Sequence, residues 1–240
     1  MLRTRASLLV ALILVVISIA ILAHPRAAHR ESPSILAGET VLNAPYSAER
    51  HFISVMRSAD GTTHRTESHG SEARDSKGRT YSADERLWVY LGKEKSEMLY
   101  RIQDPVSGTD TKWDSSSKEV KVIHWHPSAQ DADVSKAIEA WTIPYSTTEK
   151  LGVQKFGGFV AEGTRSSYTV PAGQDHNDQP IVVVHESWYC PELKIVILET
   201  NDDPRDGTTR KELVNIVRGE PDVTKYRPPS DYVVHDVQIP

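Results

Sequence analysis

Apolar and polar positions follow two regimes along this chain. From Ser7 to Ala23 (SLLVALILVVISIAILA) the run is apolar without a charge, Pro or Gly. From Tyr46 onward, apolar residues come in short alternating runs cut by Gly, Pro, Asp and Ser. A segment apolar on every face has no polar side for water, so the first regime predicts a helix placed in a membrane. The second predicts short strands joined by turns.

The N-terminal run lies at the border between a spanning helix, which needs about 17 to 25 residues, and a secretory signal. Cutting after Ala23 or Ala28 would put Ile21 or Arg26 three residues back, and neither suits a signal peptidase. Ser18-Ile19-Ala20 does fit small-x-small but lies inside the run, so a cleaved signal stays open beside an uncleaved anchor. Arg3 and Arg5 precede the run, Arg26 and Arg30 follow it, and the leader is short. The expected order is a cytoplasmic leader (1–6), a transmembrane signal-anchor (7–23), a Pro- and Gly-containing linker (24–44) and an extracytoplasmic β domain (45–240).

Within that domain Phe52, Ser54 and Met56 alternate with Ile53 and Val55, up to a hairpin-type turn at 58–61. A polar run through Thr62–Ser71 returns to a second turn at 74–78. Runs at 85–91, 97–103 and 109–126 follow, and then 153–156 with 159–170, 180–189 with 194–200, and 210–218. No strand–helix–strand rhythm interrupts them, which argues against a doubly wound nucleotide-binding fold. The predicted class is mainly β: a curved antiparallel meander, an open half-barrel of about ten strands. One segment departs from the pattern. Asp131–Trp141 sets Val134, Ile138 and Trp141 at helical spacing behind capping aspartates, an amphipathic helix suited to cover a concave sheet face.

Composition narrows the picture. The net charge of −5 is mild and the basic residues are scattered, so no nucleic-acid stripe is present. Cys190 is the only cysteine, so no internal disulfide forms.

Several motifs are specific in combination: Tyr46-Ser47-Ala48-Glu49, Arg74-Asp75-Ser76-Lys77-Gly78-Arg79-Thr80, Gly163-Thr164-Arg165 and Pro171-Ala172-Gly173. Trp188-Tyr189, Asp203-Pro204-Arg205, Asn215-Ile216, Glu220-Pro221-Asp222 and the Pro229 to Tyr232 ending continue the set. Through them the chain resembles an acidobacterial-type family of secreted or anchored envelope proteins, which brings no activity with it. The order of these strands is also distantly similar to the lipoprotein-sorting carriers of the Gram-negative periplasm and to the sensor domain that regulates envelope-stress anti-sigma factors. That resemblance implies a half-barrel around a helix-plugged apolar cavity, with Asp131–Trp141 as the plug.

Candidate chemistry is sparse. His124 and His126 flank Trp125 on one strand face, as two metal ligands would, but no third ligand is identifiable. Asp202–Gly207 lacks calcium-loop spacing and reads as a solvated turn. Cys190 and His185 are five apart on a strand and face opposite ways, so the thiol has no positioned base. No nucleophile elbow or phosphate-binding loop occurs. Neither a catalytic residue, a metal ligand nor a cofactor site is therefore assigned. The residues expected to line an apolar cavity are Trp125, Val134, Ile138, Trp141 and Trp188. The expected role is a non-enzymatic, membrane-anchored module of the periplasmic side that binds a lipid, an acyl chain or an envelope protein partner. An envelope hydrolase using a carboxylate pair and a purely structural domain are the alternatives.

Overall fold

The computed structural model describes residues 40–58, 60–124 and 146–238. The N-terminal run, the Asp131–Trp141 segment, Trp125 and His126 lie outside them. Among the described residues no helix is long and apolar enough to cross a membrane.

The first half of the chain supplies β1 (Tyr46–Arg57), β2 (Thr63–Arg74), β3 (Thr80–Tyr90), β4 (Lys93–Asp104), β5 (Thr109–Asp114) and β6 (Glu119–His124). The second supplies β7 (Ser146–Phe156), β8 (Phe159–Val170), β9 (Ile181–Cys190), β10 (Ile195–Asp203) and β11 (Gly207–Arg218), a 3-10 turn at Val223–Tyr226 and β12 (Val233–Gln238). All twelve strands form one open sheet, in the order β12-β6-β5-β4-β3-β2-β1-β11-β10-β9-β8-β7. Two meanders are thus joined back to back where β1 pairs with β11.

The mainly β class holds, with two corrections. Among the described residues the count is twelve rather than about ten, because polar stretches such as Ser146–Gly152 are also paired. The sheet is not wholly antiparallel: β12 runs parallel to β6, Val233 opposite Glu119 through Gln238 opposite His124. Its Val-Val-His-Asp-Val-Gln sequence alternates only weakly, and no local turn announces a pairing with a strand a hundred residues earlier.

Hairpin turns follow local chemistry. Gly157 and Gly158 both hold positive φ (54° and 89°), the two-residue geometry whose twist suits the β7–β8 strands. At the β5–β6 turn the Asp114 carboxylate accepts from the Ser116 hydroxyl at 2.6 Å, the Ser117 hydroxyl at 2.9 Å and the Ser116 and Ser117 amides at 2.8 and 2.7 Å. These bonds, the Ser116 hydroxyl first, hold its pKa down at about 2. An unfolded Asp titrates near 4, so the turn's contribution is complete above about pH 4 and is lost as pH falls toward 2. Asp114→Asn should flatten the acid limb of a urea-stability profile over that window; an unaltered slope would contradict the assignment.

Bulges bend the sheet. Register shifts occur between β1 and β11 near Ser47–Glu49, between β10 and β9 at Val196–Leu198, and between β7 and β8 at Lys150–Gly152. An extra residue on one strand increases local twist and curvature. Three flat strand spacings would separate β2 from β10 by about 14 Å. Nonetheless Arg74, ending β2, hydrogen-bonds the Leu193 carbonyl in the β9–β10 turn. The Arg218 guanidinium of β11 lies 3.9 Å from the ring centroid of Phe159 on β8.

The apolar core is divided accordingly. One cluster gathers Tyr46, Ala48, Phe159, Ala161, Cys190, Ile195, Ile197 and Leu213 from β1 and β8–β11. The other gathers Ile102, Trp113, Val120 and Tyr226, with Tyr81, Tyr100, Val122 and Tyr232 packed against it.

Candidate functional site, an aromatic cleft under the C-terminal segment

The second cluster leaves a concavity of about 220 Å³ walled by Tyr81, Tyr100, Trp113 and Tyr232, with Lys225 and Arg227 among its lining. Strand register builds the floor. Tyr100 stands opposite Trp113 across β4 and β5, and the rings stack at 5.1 Å with an 8° interplanar angle. Ala83 faces Tyr100 from β3. The roof is the segment following β11. Asp222 starts its 3-10 turn by accepting from the Thr224 amide at 2.9 Å. The segment is held at both ends: Glu220 accepts from the Ser76 amide at 3.2 Å, and Val233 donates to the Lys118 carbonyl at 3.0 Å.

Lys225 Nζ lies 5.0 Å from the Tyr81 ring centroid. Neither Lys225 nor Arg227 forms an ion pair with a described carboxylate. A cation over an aromatic face is attracted by the ring quadrupole, and here it also leaves a positive rim beside an apolar floor. Burial, followed by the neighbouring Tyr100, pushes the Tyr81 phenol up, so it stays neutral at physiological pH.

Behind the cleft, Tyr226 is buried with the Arg79 guanidinium 4.7 Å from its ring centroid. Its hydroxyl is buried with no hydrogen-bond partner. Burial, then the Asp75 carboxylate, raises its pKa well above the usual phenol range. Leaving a buried donor unmade costs about 1–3 kcal/mol. Tyr226→Phe should therefore be neutral or stabilise the fold by up to about 1 kcal/mol in urea denaturation; a loss of that size would mean the hydroxyl has a partner.

A larger groove of about 590 Å³ runs past Ile53, Val184, Arg165, Glu186, Asp202 and Arg210. Its cations are already paired, Arg165 with Glu186 at 2.6 Å and Glu149 at 2.7 Å, Arg210 with Glu212 at 2.8 Å. Both of its guanidinium groups are therefore committed within the protein rather than offered to a ligand.

Of the residues expected to line a cavity, Trp125, Val134, Ile138 and Trp141 lie outside the described residues. Trp188 packs on the first core cluster, 5.5 Å from the Phe156 ring and opposite Gly163, and lines neither concavity. The described half of the His124–His126 pair is joined to β12, His124 Nε2 lying 3.0 Å from Asp236 Oδ1. Cys190 is fully buried among apolar side chains, while His185 hydrogen-bonds Glu199 at 2.8 Å. The Asp202–Gly207 turn is exposed at Asp202, Pro204, Arg205 and Asp206, as expected, and buried at Asp203 alone. Asp203 is buried and accepts from the Arg205 amide at 3.0 Å and its guanidinium at 2.9 and 2.7 Å. Glu72 and Asp84 form a carboxylate pair, but the Arg50 guanidinium reaches both, at 3.5 and 3.1 Å, and compensates them. The aromatic cleft escaped detection in the sequence because its walls come from four separate stretches. Its only local signal is the cluster of Tyr and basic residues in the Pro-rich 221–232 stretch.

No family model and no curated protein matches the chain. Among solved structures it is similar to the lipoprotein LppX of Mycobacterium tuberculosis, at 11% identity over 73% of this chain and 87% of that one, TM-score 0.30. It is similar to LprF of Mycobacterium bovis at 8% identity over 78% and 90%, TM-score 0.35. A domain assigned to outer-membrane lipoprotein sorting from Vibrio parahaemolyticus matches at 12% identity over 76% and 89%, TM-score 0.25. At such identities and scores the likeness carries no argument about ligand or activity.

Proposed function

We propose that this chain is a non-enzymatic envelope module, held at a membrane by its N-terminal apolar run, that binds an amphiphile with an apolar body and an anionic head. The β domain lies on the extracytoplasmic side in this reading. One observation carries it: the stacked Tyr100–Trp113 floor lies beside two basic side chains, Lys225 and Arg227, that form no ion pair with a described carboxylate. Flat apolar walls receive a hydrocarbon or ring by area burial, and the rim cations receive a carboxylate or phosphate. Small-molecule sites usually run to about 300–1,000 Å³, so a cleft of this size takes one acyl end or one headgroup-proximal segment rather than a whole lipid.

Isothermal titration of the full chain in amphipol with decanoate tests this. Saturable binding is expected, and Lys225→Glu should weaken it by about tenfold, the effect of reversing one partly buried charge worth about 1.4 kcal/mol. Absence of saturation, or equal binding of decyltrimethylammonium, would sink the proposal.

A further inference from the structure

The β3–β4 hairpin outruns its neighbours. Pairing of β2 with β3 stops at Gly70 opposite Asp84, and pairing of β4 with β5 stops at Leu99. β3 and β4 remain paired down to Tyr90 opposite Lys93. Beyond a base where Arg86 meets Glu97, a two-stranded arm therefore projects with both outer edges unpaired among the described residues. At that last pair a Cβ on Gly70 would lie 2.6 Å from the Ala83 carbonyl, so glycine is what lets the β2 and β3 backbones approach this closely where their pairing ends.

The arm's β3 edge carries Leu87, Trp88, Val89, Tyr90 and Leu91 in succession, exposed by 39, 40, 69, 62 and 84%. An open edge of aromatic and aliphatic residues is a template for another strand, and proteins normally block such edges. The β7 edge of this sheet is blocked in the usual ways, by Lys150, Lys155, a bulge and Gly152 at φ +89°. From Leu87 to Tyr90, β3 has no Pro, Gly, Lys or bulge. An isolated two-stranded ribbon is also marginally stable in water.

We infer that the open edge of β3, Arg86–Tyr90, is a docking strand for the same strand of a second copy of this chain. Two features favour a strand over a lipid surface. Hydrocarbon offers no partner to open backbone groups. Lys95, Glu94 and Lys93 stand directly opposite Trp88, Val89 and Tyr90 on β4, and would be drawn in with them. Self-complementarity favours a second copy. An antiparallel two-fold pairing centred on Trp88 sets each Leu87 against the other Val89, each Arg86 against the other Tyr90, and Trp88 against itself. Apolar groups then meet apolar groups, each Arg86, neutralised by Glu97, lies beside the other Tyr90, and no like charges are opposed.

Sedimentation velocity of the full chain in amphipol should find a dimer in the micromolar range. Val89→Lys should raise its dissociation constant by about tenfold or more while the far-ultraviolet circular dichroism is unchanged. Trp88→Cys should give a covalent dimer on mild oxidation, since the native Cys190 is buried, whereas Lys95→Cys on the neighbouring strand should not. A monomer throughout that range, or a dimer indifferent to Val89→Lys, overturns the inference. So does a Trp88→Cys chain that fails to cross-link, or an arm that binds phosphatidylglycerol vesicles with no change in oligomeric state.

Discussion

Gly207→Ala should lower the stability of the domain by roughly 3 kcal/mol or prevent its folding, well beyond the loss expected for the same change at an open turn. Gly207 closes the β10–β11 turn opposite Asp203, with φ at +92°. Its conformation alone penalises an L side chain by about 1–2 kcal/mol. The larger obstacle is steric. A Cβ there would overlap the Val55 carbonyl oxygen and lie 2.9 Å from Met56 Cα, both on the β1 backbone. Backbone at a strand junction cannot rotate aside as a side chain does, so β11 must lift from β1, the seam joining the two meanders. Gly61→Ala is the control: φ is +86°, yet nothing lies within 4 Å of its added carbon. Urea unfolding should show Gly61→Ala losing about 1 kcal/mol and Gly207→Ala clearly more. Equal losses would mean that the contact with β1 is unimportant.

The second large effect is expected at Arg74. Its side chain is buried; Nε and Nη2 donate to the Ala44 carbonyl at 3.1 and 2.8 Å, and Nη2 also donates to the Leu193 carbonyl. The guanidinium lies 5.1 Å from the Tyr46 ring centroid. One planar fork thus ties the entry of β1 and the β9–β10 turn to the end of β2. Arg74→Ala leaves two buried carbonyls without donors, at about 1–3 kcal/mol each, so a loss of about 4 kcal/mol is expected. Arg74→Lys should recover part of it, because an ammonium can reach one carbonyl but cannot reproduce the fork. Amide exchange should accelerate most around Pro191–Lys194. If Arg74→Lys is fully tolerated, or exchange at that turn is unaffected, then the fork does not hold the curl of the sheet.

Local sequence sufficed for the elements whose signals are local. Alternation around Ile53 and Val55, the turns at 58–61 and 74–78, the Gly157-Gly158 turn and the absence of a strand–helix–strand rhythm all predict the strands that are found. Each depends on a few adjacent residues and on backbone sterics that act before any tertiary contact. Charge and the lone Cys190 narrowed the chemistry for the same reason.

The remainder was decided at long range. Joining β1 to β11 brings together residues more than 150 positions apart, as in Glu49 accepting from the Asn215 side-chain amide at 2.8 Å, and nothing in either strand names its partner. Parallel pairing of β12 with β6 leaves no turn motif to read. The bulges appear only once two strands are laid side by side, and they decide which apolar residues share a core. Tyr81, Tyr100, Trp113 and Tyr232 look like ordinary core aromatics in sequence. They become a cleft because strand register stacks two of them and because β12, pairing far away, draws Lys225 and Tyr232 across the face. Sequence alone thus determined a turn-punctuated β chain behind an apolar N-terminal run. The tertiary structure decided which strands meet, how the sheet bends and where its aromatic floor lies open, because those depend on contacts whose two halves are distant along the chain.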